Sequence, residues 1–177
     1  MPSADDYTWL EDSLLGEAAC LTVVLGKSRE SVLADFGADA QVVVPIDDAY
    51  GNGVSLVDIP DGVIAIEYNG FQGAQPEVLR ALSVDGSASS MFWNVNDDNA
   101  FSCARGGQLV ATVDMYDAED PGEVDLPDDL RLLFELGADE DADLHAIGLA
   151  MVEQFTGVKI TAVHVENAEV AHPIENV

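Results

Sequence analysis

Thirty-four carboxylates, three histidines and two cysteines are the side chains of this sequence that could ligate, transfer protons or attack. Most of their spacings fail the geometry that such chemistry demands. Asp139, Asp141 and Asp143 begin like a calcium loop. That loop needs glycine at its sixth position and a bidentate carboxylate at its twelfth. Leu144 and Ala150 stand there instead, so the aspartates are expected to cap a helix. His145, His164 and His172 form no His-x-x-x-His pair, and no Cys-x-x-Cys exists, so no metal site is expected. Gly26-Lys27-Ser28 ends like a phosphate-binding loop, but Leu21 holds the place of its first glycine. No Gly-x-Ser-x-Gly elbow occurs. No cofactor is expected and no catalytic residue is assigned.

Two features remain. Glu67 lies on the opposite pleat from Ile64, Ile66 and Tyr68. It could serve as an acid or base beside the loop that follows, although an outward-facing surface glutamate is the simpler reading. That loop is Asn69, Gly70, Phe71, Gln72 and Gly73. Glycines on both sides of an aromatic residue let the backbone approach another surface closely. An exposed Phe71 there would make an interface anchor. The alternative folds Phe71 back into the core under the next helix.

The elements that must position these residues follow from periodicity. The run centred on 87–115 reads as a three-stranded meander, 88–95, 100–105 and 108–114, with Gly106-Gly107 as a tight hairpin turn. Alternation places Met91, Trp93, Val95, Phe101, Cys103, Leu109, Ala111 and Val113 on one face. Strands are also expected over 20–25, 54–59 and 63–68, the last two joined at Pro60-Asp61-Gly62 with Gly62 supplying positive φ. A run over 41–46 reads as an edge strand because of Pro45. A capping box at Thr8-Trp9-Leu10-Glu11 predicts a helix over 9–15, with Trp9 as a core anchor. Further helices are expected over 29–36, capped by Ser28 and Gly37, then 76–83, 128–136 and 143–155. A short strand is expected near 162–165. The 116–129 stretch carries Asp117, Glu119, Asp120 and four more carboxylates with no basic residue, and its prolines make it a loop.

Length and composition set the frame. The 177 residues favour one domain, 1–177, with 1–6 a flexible tail. A domain of this size buries roughly 70% of its unfolded surface and needs no metal or disulfide. Cys20 and Cys103 sit in apolar strand patterns and read as buried free thiols. The start of the chain has neither a basic region nor an apolar run, so a cytoplasmic protein is expected. No apolar stretch reaches the ~18 residues of a membrane span. A net charge of −28 argues against nucleic acid and anionic membranes as partners. It permits a basic protein partner, a mimic of nucleic-acid charge, or plain solubility.

Several segments together resemble a family. They are Thr8-Trp9-Leu10-Glu11, Glu67-Tyr68-Asn69-Gly70-Phe71-Gln72-Gly73, Pro76-Glu77-Val78-Leu79-Arg80-Ala81-Leu82-Ser83, Phe92-Trp93-Asn94-Val95-Asn96 and Phe155-Thr156-Gly157-Val158. The chain resembles the actinobacterial DUF6461 family of uncharacterised proteins. The resemblance transfers no catalytic residue. Proteins of this kind are similar to immunity factors that neutralise a toxin, including secreted NAD-hydrolysing toxins. The expectation is therefore an α+β domain with an antiparallel sheet of five to seven strands and helices mainly on one face. Its expected function is a non-enzymatic binding module, an immunity protein or antitoxin that occludes a toxin enzyme. The 69–73 loop, Asp117, Glu119 and Asp120 are its candidate partner-binding residues. The alternatives are a small acidic enzyme or ligand-binding domain with a pocket near Glu67, or an acidic charge mimic.

Overall fold

Two near-continuous apolar runs form the middle of the sheet, and their pairing sets everything else. They are β1 (Ala19–Leu25) and, further along the chain, Gly62–Tyr68. Strands without polar alternation must be covered on both faces. The computed structural model describes residues 1–175 and shows that covering. Strands β2 (Val44–Pro45), β3 (Gly53–Ile59), β4 (Gly62–Tyr68), β5 (Ser87–Trp93), β6 (Asn99–Arg105), β7 (Gln108–Asp114) and β8 (Val170–Pro173) complete one sheet. Its eight strands lie in the order β2-β8-β3-β4-β1-β5-β6-β7, and every pairing is antiparallel. This is an α+β fold. The strand count exceeds the expected five to seven because the two-residue β2 and the returning β8 extend the sheet beyond β3.

The helices divide between the two faces, which corrects the expectation of one covered face. Helices α1 (Arg29–Phe36) and α2 (Pro76–Leu82) pack Val32, Leu33, Phe36, Leu79 and Leu82 against Val24, Val54, Leu56, Val63, Ala65, Ala88 and Ala104. On the other face, α3 (Asp128–Phe134) and α4 (Leu144–Thr156) join a 3-10 helix, Ala4–Asp12, over Leu21, Val23, Ile64, Ile66, Met91, Trp93, Phe101 and Val113. Asp143 caps α4 by accepting from Ala146 N at 3.0 Å, as its spacing predicted, and Gly157 closes the helix at φ 77°. Segment 162–165 is not a strand: α5 (Ala162–Glu166) starts there, capped by Thr161. The N-terminal helix is 3-10 and capped by Ser3 rather than Thr8. Within the segment expected as a tail, Asp6 pairs with Lys159 at 2.9 Å. Tyr7 anchors this helix, fully buried and donating to Glu153 Oε2 at 2.8 Å, while Trp9 is only half-buried.

The central meander holds, with two exceptions. Gly106 and Gly107 both take positive φ, as a tight hairpin requires. Met91, Trp93, Phe101, Cys103, Ala111 and Val113 share a face and are buried. Val95 is 71% exposed, because β5 ends at Trp93 and Asn94 folds the following turn by accepting from Asn96 N and Asp98 N. Leu109 lies on the opposite face, beside Ala104, because a β-bulge interrupts the pairing between Cys103 and Ala104. Gly62 is needed for a different reason from the one expected. Asp61 takes the positive φ, whereas a Cβ on Gly62 would run into the Val24 carbonyl.

Candidate functional site

At the end of β4 the chain turns sharply, and the turn is built on Glu67. This side chain is 1% exposed, which corrects the reading of a surface glutamate. Both faces of β4 are covered, so the pleat opposite Ile64 and Ile66 also points inward. Register sets Glu67 beside Cys20 of β1, with Thr22 two residues along. Glu67 Oε1 accepts from Gln72 N and Oε2 from Gly73 N, each at 2.8 Å. One carboxylate thus satisfies two consecutive amides of the loop and holds it down on the sheet. Burial raises its pKa to about 7 against these two hydrogen bonds, which act to lower it. Burial and the Glu67 charge together push the Cys20 thiol well up, so it is no ready nucleophile.

The rest of the loop is equally constrained. Asn69 takes φ 54°, and its N–H donates to Ala18 O at 3.0 Å. Asparagine adopts that left-handed conformation more readily than most residues. A Cβ on Gly70 would come within 2.8 Å of Glu67 Cβ, and one on Gly73 would meet Thr22 Oγ1. The glycines therefore serve close packing within the chain. Ala74 N donates to Phe71 O and Gln75 N to Gln72 O, both at 3.0 Å, closing a 3-10 turn over Gln72–Ala74 that leads into α2. Phe71 is left out of this packing and is 40% exposed, so it does not fold back under α2. Tyr50, more exposed still, precedes Gly51, whose N–H donates to Tyr68 O. Tyr50 lies in an unpatterned loop, where no local sequence signal marks its exposure.

Asp117, Glu119 and Asp120 are all exposed on or beside the 3-10 helix Met115–Glu119 that follows β7. The loop after them is fastened by Arg131, which donates to Pro121 O and Val124 O at 2.7 Å. These carboxylates do not touch the Phe71 loop, but they share its end of the sheet. Tyr68 pairs with Ala19, Ala19 with Trp93, Trp93 with Asn99, and Ala100 with Asp114. Four strand spacings, roughly 19 Å, therefore separate the two groups along one end.

At this end, too, lies a cleft of about 390 Å³ between the 94–98 turn, the Met115–Glu119 helix and the start of α4. His145 of α4 lines it and stacks on Trp93 with ring centroids 4.7 Å apart. Burial lowers the His145 pKa despite the nearby Asp143 and Asp97. Trp93 is fully buried and donates from Nε1 to Leu15 O at 2.8 Å. Among the described residues no group of three metal-ligating side chains could hold one ion, and no helix is long and apolar enough to cross a membrane.

Fold and site together define an α+β protein with one two-sided antiparallel sheet, one end of which carries a pinned aromatic loop and, four strands away, exposed carboxylates. The chain belongs to the DUF6461 family, a family of unknown function, whose sequence model matches residues 46–173. The match takes in the 69–73 loop and the acidic segment. It leaves out β1 and the Thr8-Trp9-Leu10-Glu11 segment. No curated protein and no solved structure matches the chain.

Proposed function

We propose that this protein is a non-enzymatic binding module that occludes the active site of a partner enzyme, as an immunity protein or antitoxin does inside the cell. The observation that carries the reading is Phe71, 40% exposed in a loop whose next two amides are held by Glu67. An aromatic anchor held in one conformation loses little entropy on binding, and a few such residues supply most of an interface's affinity. The net charge of −28 favours a basic partner and raises the rate of encounter. Glu67 fits this reading better than a catalytic one. Both its oxygens are taken by backbone donors and its side chain is closed off from solvent.

The test begins with capture of the partner from the native host. Stoichiometric protein should abolish the captured partner's enzymatic activity, and Phe71→Ala should restore most of that activity at equal concentration. A partner that stays fully active when saturated would overturn the occlusion reading. Neutralising Asp117, Glu119 and Asp120 should slow association and flatten its salt dependence, while leaving dissociation nearly unchanged.

A further inference from the structure

The two edges of the sheet are guarded differently. At one edge, β2 is two residues long and ends in Pro45, which has no N–H to offer a further strand. At the other, β7 is seven residues long, contains no proline and pairs only with β6. From Leu109 to Val113 it carries no charged side chain either. Every second residue of an edge strand turns its N–H and C=O away from its one partner. Among the described residues, no backbone group of 109–113 bonds to any element other than β6. A groove of about 450 Å³ runs beside this edge, lined by every residue of Leu109–Val113, by Asp117 and by the 123–125 segment. Successive strand side chains point to opposite faces. A groove that touches five in a row therefore lies against the side of the strand, where the backbone is bare. The 123–125 wall does not itself pair with β7. Its Val124 N donates to Pro121 O, and Val124 O accepts from Arg131.

We propose that this groove is a strand-addition site, taking an extended basic segment of a protein partner as a ninth strand beside β7. The bare main-chain groups supply the hydrogen bonds of a ladder, and residues 109–113 offer about 17 Å of it. Charge decides the occupant. Asp114, Asp117, Glu123 and Asp125 are exposed on or beside the groove, and no lysine or arginine lines it. A second copy of this chain, laid antiparallel against β7, would set these carboxylates against their own images, and like charges across a strand pair oppose it. A basic segment meets the same carboxylates with opposite sign. Alternation lets its cations face Glu123 and Asp125 while the intervening apolar side chains lie beside Val110, which is 39% exposed. The inference does not rest on the reading of the Phe71 loop, which belongs to β4.

The probe is a peptide of alternating lysine and valine, as long as β7 and blocked at both ends. It is titrated at constant ionic strength into the full-length protein labelled with nitrogen-15. Saturable shifts are expected at backbone amides of 109–113 and 123–125. Amide hydrogen exchange within 109–113 should slow at every second residue, the pattern that a new ladder imposes and that loose charge attraction does not. The same peptide N-methylated along its backbone keeps its charge but cannot donate, and should bind about tenfold or more weakly. Glu123→Gln with Asp125→Asn should also weaken the unmethylated peptide about tenfold. Glu30→Gln with Asp47→Asn removes equal charge from exposed positions elsewhere and should change affinity less than about twofold. Unshifted Trp93 signals in both variants establish that the fold is intact. Four results would each overturn the inference. They are exchange that slows without the alternate pattern, equal binding of the N-methylated peptide, equal weakening by the two variant pairs, and protection of 109–113 in the free protein that disappears on dilution. The last would assign the edge to a second copy of the chain. None of them touches the Phe71 reading, which rests on a different variant and on the captured enzyme.

Discussion

Trp93 and Glu67 are the two residues on which the site's geometry turns, one on each face of the sheet. Trp93 is buried, hydrogen-bonded to Leu15 O and stacked on His145. Trp93→Ala should cost roughly 3–5 kcal/mol in urea unfolding, since it leaves a large cavity and an unpaired carbonyl. A loss below about 1 kcal/mol would contradict the core assignment. Glu67 makes stability depend on pH. Its carboxyl titrates near 4.5 when unfolded and about 7 when folded, because burial disfavours the charge. The stability it contributes is complete below about pH 4.5 and is lost as pH rises to about 7, on the order of 3 kcal/mol in all. The general repulsion among carboxylates changes in the same direction, so the comparison needs Glu67→Gln, which cannot titrate. Between about pH 5 and about pH 8 the wild type should lose more stability than this variant. Parallel curves would show that Glu67 is ionised throughout.

At the scale of elements, the 69–73 loop is stiff because its packing leaves no slack. Gly73→Ala would drive a Cβ into Thr22 Oγ1 and toward Glu67 Oε2. Overpacking of that kind costs about 1–3 kcal/mol, so a melting-temperature drop of several degrees should appear together with weaker partner binding. An unchanged melting temperature would mean that the loop gives way easily. Much of the element order was legible in the sequence, and the failures have specific causes. Gly106-Gly107 and the Asp143 cap declare themselves through residue chemistry. Leu109 did not, because a bulge shifts alternation by one and nothing in the sequence near Val110 marks it. Gly62 looked like a turn glycine, although its neighbour Asp61 takes the positive φ. The burial of Glu67 was available in principle. The runs Ala19–Leu25 and Gly62–Tyr68 lack polar alternation, and such strands are covered on both faces. A sheet covered on one face only would leave Glu67 in solvent. Exposure of Phe71 depends on how the whole loop packs, which no local pattern encodes.

Across the whole molecule, 34 acidic side chains face 6 basic ones, so electrostatic repulsion is expected to outweigh the few attractive pairs. The six cations are largely occupied by structural ties. Lys27 pairs with Asp35, Arg29 with Asp58 and Lys159 with Asp6, Arg131 fastens the acidic loop, and Arg105 lies 4.5 Å over the Phe155 ring. Most of the 34 carboxylates therefore repel one another with nothing nearby to offset them. Moderate salt screens this over a Debye length of about 8–10 Å and should raise the melting temperature relative to dilute buffer. A flat or falling dependence would mean that the few specific pairs outweigh the general repulsion. On the proposed reading, the same charge would speed encounter with a basic partner, and Phe71 would anchor it. The decisive measurement is the dissociation rate of the partner complex for Phe71→Ala, taken with that variant's melting temperature. Faster dissociation worth about 2 kcal/mol or more, with melting nearly unchanged, is the predicted result. Wild-type dissociation together with a clear loss of melting temperature would make Phe71 a packing residue and contradict the account.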